Sequence, residues 1–172
     1  MQAIFFITCS NISVENCRFD GMKVGIKVAT ATNEYMTFRN ITCNSIQGQG
    51  ILVRNTAYTN VTGFHGNEMG QSKFDHAIYF AGDNAKVTIS NINVDTGTGS
   101  AISVFASSHG DVDDVSITNV NVVDARNGFD LAETSPNTLT NVNVSNISIK
   151  NATAVAMQMI SGTNITISNF VI

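Results

Sequence analysis

Asp75 and Asp130 are the carboxylates whose neighbours most invite a chemical reading. His76 follows Asp75 directly, and Tyr79 comes three residues later. Cleavage of a glycosidic bond uses two carboxylates, about 5–5.5 Å apart for retention of configuration and about 6.5–9.5 Å for inversion. Asp75 and Asp130 are therefore the candidate catalytic pair. His76, Tyr79, Ser103, Glu133, Lys27, Arg54 and Gln158 are the candidate substrate-binding residues. Their hydroxyl, amide and charged groups suit sugar hydroxyls, and the Tyr79 ring suits a sugar face.

Other reactive side chains carry less. Asp111, Asp113 and Asp114 with His109 form the densest charged patch. Calcium accepts such oxygens, but alternating spacing sends them in different directions, so a solvated loop is expected, with no metal and no cofactor. His65 and Glu68 fall among Gly63, Gly66 and Gly70, a spacing that predicts a bulged loop. The odd number of cysteines, Cys9, Cys17 and Cys43, shows no metal-ligand spacing and reads as small buried residues, with Cys9 and Cys43 near one strand in adjacent repeats.

Composition narrows the partners. Charged residues make up 13% of the 172 residues, the net charge is −4, and there is no basic cluster. Phosphate-backbone binding needs clustered Lys and Arg, so nucleic acid is not expected. No apolar run approaches the roughly 20 residues of a membrane span. The opening Met1–Phe6 lacks the charged start of a signal peptide and reads as part of a first repeat.

The elements that must position these residues are set by a repeat. Asn11, Asn40, Asn91, Asn119, Asn146 and Asn169 each precede a hydrophobic residue and Gly66 holds the Asn position in the rung that lacks it, at intervals of 29, 26, 25, 28, 27 and 23 residues. Ile26, Ile51, Ile78, Ile102, Phe129 and Val155 recur in step, each within a stretch alternating apolar and variable residues. Alternation is the strand period, and a recurring Asn or Gly suits a left-handed corner. The expected fold is all-β: a right-handed, single-stranded parallel β-helix of about seven rungs of about 26 residues, about 34 Å tall at the strand spacing. The outward stripe is then Lys27, Leu52, Tyr79, Ser103, Asp130 and Ala156, with Arg54 and Gln158 two positions on. Asp75 and Asp130 would sit two rungs apart, about 9–10 Å along the axis. The same corner pattern generates Asn-x-Ser/Thr at Asn11, Asn40, Asn60, Asn143, Asn146, Asn151 and Asn164 without implying glycosylation. Residues 1–172 read as one domain, a segment of a longer protein, because the apolar end at Asn169–Ile172 has no polar cap.

The stretches Asp75–Phe80, Val87–Asn91, Gly97–Val104, Val115–Val120 and Asn127–Leu131 resemble the pectin-lyase-like β-helix superfamily, in particular polygalacturonases and bacteriophage tailspikes. In the polygalacturonase pattern the paired aspartates fall on Asp75 and His76, the Gly-His-Gly on Gly99, Ser100 and Ala101, and the Arg-Ile-Lys on Asp130, Leu131 and Ala132. One aspartate is kept; the histidine and both cations are lost. The site is therefore expected to be neutral to acidic, which argues against pectin hydrolysis. The resemblance implies a polysaccharide-recognising protein of tailspike type that binds or depolymerises a cell-surface glycan, as a glycosidase or a lyase. Such a protein would be extracellular or on a virion surface, a trimer or capped by flanking domains. Two alternatives stay open: a structural or assembly domain without activity, and a diverged pectinase-like hydrolase.

Overall fold

A computed structural model describes residues 1–29, 33–107 and 110–172. Strands β1 (Gln2–Phe6), β2 (Ser10–Asp20), β3 (Val24–Val28), β4 (Asn33–Asn44), β5 (Ile51–Asn67) and β6 (Ile78–Val94) form the first half. They are followed by β7 (Gly97–Ala106), β8 (Val112–Val123), β9 (Ala125–Glu133), β10 (Leu139–Lys150), β11 (Val155–Ile160) and β12 (Thr163–Val171). There is no helix among the described residues.

Every ladder is parallel. One face stacks β1, β3, β5, β6, β7, β9 and β11 in that order. The other stacks β2, β4, β5, β6, β8, β10 and β12, because β5 and β6 are long enough to turn a corner and serve both. Seven strands per face, linked by six rung-to-rung steps, make a parallel β-helix. Parallel stacking puts like on like inside: Ile26, Ile51, Ile78, Ile102 and Phe129 form one column, all fully buried.

Corners are made by left-handed residues in vertical columns. Asn16, Asn40, Gly63, Asn91, Asn119, Asn146 and Asn169 share φ between 51° and 68°. Asn is the residue that accepts this conformation at least cost after Gly. Its side chain also bonds up the column: the Nδ2 of Asn119 donates to Asn91 Oδ1 (3.3 Å) and that of Asn146 to Asn119 Oδ1 (3.2 Å). Gly63 interrupts the column, since a Cβ there would lie 2.7 Å from Asn40 Oδ1. A second left-handed column holds Asn11, Tyr35, Tyr58, Lys86, Asp114, Asn141 and Asn164. Tyr35 and Tyr58 stack at 4.6 Å and Lys86 Nζ lies 4.7 Å over the Tyr58 ring. These contacts offset the strain of bulky residues at positive φ.

Several expectations are corrected by this register. The first-rung corner is Asn16, with Asn11 in the second column, and the third-rung corner is Gly63, while Gly66 lies inside β5 on Cys43. The predicted bulged loop around His65 is regular strand, with His65 Nε2 3.5 Å from Asp95. Cys43 stacks on Phe19, away from Cys9, which lies level with Asn33 and Glu34. In β11 it is Met157, and not Val155, that pairs with Phe129. Gln158 therefore replaces Ala156 in the outward stripe. Ala154–Met157 is apolar throughout, and a period of two cannot detect a slip of two residues.

Candidate functional site

On the first face the outward column runs Lys27, Leu52, Tyr79, Ser103, Asp130, Gln158. It is not uniformly open. Leu52 is only 6% exposed, which closes the column at the third rung, and Ser103, which lines the cleft beyond it, is only 1% exposed. From Tyr79 onward the column forms one side of a cleft of about 540 Å³, which Lys73, Phe74, His76, Phe105, Arg126, Asn127 and Val155 also line. The structure thus brings His76, Tyr79, Ser103, Asp130 and Gln158 together.

Gly70–Phe74 precedes β6, the fourth-rung strand, as a short wall, and Asp75 holds it. Its Oδ2 accepts from Ser72 N (2.8 Å), Ser72 Oγ (2.8 Å) and Gln71 N (3.2 Å). Thr98 Oγ1 donates to Ser72 O (3.1 Å), and Gln49 Nε2 to Phe74 O (3.4 Å). The wall approaches the next rung closely because residue 99 is Gly: a Cβ there would sit 1.9 Å from Asp75 O. Asp75 is thus committed to wall hydrogen bonds and does not line the cleft.

Burial sets the electrostatics. Asp130 is half-buried, its carboxylate has no hydrogen bond or ion pair among the described residues, and burial pushes its pKa up. Burial likewise raises the Tyr79 phenol, with Asp130 adding to the effect and Arg54 opposing it. His76 is 7% exposed and pushed down to about 4 by burial, against the opposing pull of Asp75. Its Nδ1 accepts from Ser100 N (3.1 Å), so the proton of the neutral ring sits on Nε2. The cleft therefore offers uncharged donors at His76 and Tyr79, a carboxyl at Asp130 whose pKa burial raises, and cations at Lys73 and Arg126.

The remaining candidates lie apart. Lys27 Nζ lies 5.2 Å over Phe5, below the closed Leu52 position. Arg54 is half-buried, and its Nε is buried without a hydrogen-bond partner. Glu133 stands at the far edge, where it accepts from Leu139 N (2.7 Å) and Ser161 Oγ (2.5 Å) and lines an adjoining hollow with Asp130 and Gln158.

The expectation of a neutral-to-acidic site missed Lys73 and Arg126, as it missed Phe74, Phe105 and Asn127. Lys73 and Phe74 belong to the non-strand stretch after the glycines Gly63, Gly66 and Gly70, which was the available signal. No alternation marks Arg126 and Asn127 as outward, because the ladder with β7 is irregular between Ala125 and Asn127, opposite Gly97 and Ser100.

Asp111 and Asp113 accept hydrogen bonds from Thr138, Thr140 and Asn141, and the described residues hold no cluster fit for a metal ion. His109 lies outside the described residues. Among the Asn-x-Ser/Thr positions, Asn40, Asn146, Asn151 and Asn164 each donate their amide to the neighbouring rung. Among the described residues no helix is long and apolar enough to cross a membrane.

Residues 2–172 match the model of the right handed beta helix region, and the chain belongs to that family. Among solved structures, an endo-xylogalacturonan hydrolase from Aspergillus tubingensis is similar over 99% of this chain and 61% of its own, with a TM-score of 0.57 and 14% identity. An alginate lyase from Paenibacillus sp. str. FPU-7 is similar over 99% of this chain and 74% of its own, with a TM-score of 0.55 and 11% identity. At such identities the likeness is one of fold. The chain thus spans less than two thirds of the first enzyme. No curated protein sequence matches it.

Proposed function

We propose that this β-helix acts on a polysaccharide through the cleft over Tyr79, Ser103, Asp130 and Gln158. The observation that carries the reading is Asp130: a half-buried carboxyl without a partner, beside a tyrosine, facing an open hollow. Perturbed acids in clefts mark sites of proton transfer or ligand binding. His76 Nε2–H and the Tyr79 hydroxyl supply donors to sugar oxygens, Phe74 and Tyr79 supply ring faces, and Lys73 and Arg126 suit an acidic substituent. The two structural neighbours, a hydrolase and a lyase by name, act on such polymers. Asp75 serves as a positioning residue for the wall, leaving Asp130 as the acid–base candidate. The finer reading is a tailspike-type protein, extracellular or on a virion surface, that engages a cell-surface glycan.

Retention of the chain on immobilised alginate, polygalacturonate, capsule and lipopolysaccharide glycans tests the reading. Tyr79→Ala should weaken binding roughly tenfold by removing a ring face. Asp130→Asn keeps shape while removing the titrating proton. A depolymerase should then lose turnover a hundredfold or more, and a binding module should be little changed. Absence of retention on every polymer would leave the fold without this function.

A further inference from the structure

The hollow under Tyr79 and Asp130 is one of three that adjoin across the face. Before it, Glu68, Thr96, Thr98, Asp124, Arg126 and Thr153 line a depression of about 530 Å³. After it, a smaller one of about 190 Å³ reaches Glu133 and Thr134. Arg126 belongs to the first two, and Phe105, Asp130 and Gln158 to the last two. In each rung the residue numbers rise in the same order, from Thr98 through Ser103 to Phe105 and from Arg126 through Asp130 to Thr134. The line of hollows therefore follows the strands. β9, of 9 residues, runs its length, which gives roughly 26–30 Å at about 3.3 Å per residue.

Along the helix axis the cleft is closed on the Leu52 side of Tyr79. Leu52 next to Tyr79 is buried, Gln49 ties the wall down at Phe74 O, and Lys27 beyond them is over Phe5.

We infer that a glycan crosses this β-helix along the strands, perpendicular to its axis, so that an internal stretch of the chain places sugar units on both sides of Asp130. The inference rests on the polysaccharide reading above and adds the first depression as a separate subsite. Its lining is hydroxyl-rich: three threonines, with Arg126 and the carboxylates of Glu68 and Asp124, which accept from Ser45 Oγ and Asn151 Nδ2. That is the chemistry of a sugar bound by its hydroxyl groups. Arg126 reaches the same ligand from both hollows.

The test uses size-fractionated oligosaccharides, from disaccharide upward, of whichever immobilised polymer retains the full chain. Affinity should keep rising beyond the disaccharide. Thr153→Trp, which fills the first depression, should weaken the longer oligosaccharides about tenfold and leave the disaccharide unchanged. Thr96→Trp, which fills the same depression without touching the central cleft, should do the same and stands in if the Thr153 variant does not fold by circular dichroism. Lys27→Ala should change neither. Length-independent affinity, or loss in Lys27→Ala with none in Thr153→Trp and Thr96→Trp, would overturn the transverse route while the polysaccharide reading survived. Failure of wild type to bind any polymer would overturn both.

Discussion

Lowering the pH should destabilise the protein through His76. Folded, the ring stays neutral down to about pH 4, because burial disfavours its charged form. Unfolded, it takes up a proton near its ordinary value of 6.5. Between those values the unfolded chain binds more protons, so the stability is fully present above about pH 6.5 and is lost as pH falls toward 4. At about 1.4 kcal/mol per pH unit over about two and a half units, the loss approaches about 3 kcal/mol. Asp130 acts with the opposite sign: its raised folded value adds stability as pH falls through the window just above the ordinary carboxylate range. Asp20, held down by Arg18, and Asp113, held down by Thr140, act lower, losing stability as pH falls below that range. The histidine contribution is isolated by His76→Asn, whose Oδ1 can still accept from Ser100 N. In urea titrations from about pH 7.5 to about pH 4, wild type should lose about 3 kcal/mol more than the variant. Parallel losses, or an imidazole resonance of His76 titrating near 6.5, would refute the reasoning.

Further outcomes follow from the packing. Ile78→Asp should abolish folding, since Ile78 is fully buried between Ile51 and Ile102 and an unpaired buried charge costs several kcal/mol; a soluble variant with the wild-type circular dichroism spectrum would contradict the register. Asn119→Ala should lower stability by about 1–2 kcal/mol through left-handed strain and a broken ladder, with Asn119→Gly recovering the strain part alone. Equal denaturation midpoints for the two variants would count against the corner argument. Gly99→Ala should displace the wall, because its Cβ meets the Asp75 carbonyl; lower thermal stability together with weaker glycan retention is expected, and unchanged values for both would show that the wall yields without consequence.

The fold was legible because each rung repeats two independent signals, alternating aliphatics such as Ile78 and Ile102 and a corner Asn such as Asn91. The vertical phase was less legible where those signals are degenerate. Two left-handed columns both accept Asn, so Asn11 and Asn16 could not be told apart, and the apolar run at Ala154–Met157 hid a slip of two. Within the cleft, Tyr79, Ser103 and Asp130 follow from strand parity alone. Lys73 and Phe74 do not, since they stand on a wall held by the hydrogen bonds of Asp75 and by the missing side chain at Gly99. These are tertiary facts with no local pattern.

The two left-handed columns lie five residues apart in every rung, from Asn11 and Asn16 through Lys86 and Asn91 to Asn164 and Asn169. The remainder of each turn varies from 18 to 23 residues between Asn16 and Tyr35, Asn40 and Tyr58, Gly63 and Lys86, Asn91 and Asp114, Asn119 and Asn141, and Asn146 and Asn164. The invariant corner pair thus indexes each coil like the tooth of a ratchet, and the opposite arc takes up all the slack. A loop such as Gly70–Phe74 can lengthen or shrink without shifting the coils above it by a single residue. This divides the molecule into an arc that keeps count and an arc free to diversify, and the cleft is built on the second.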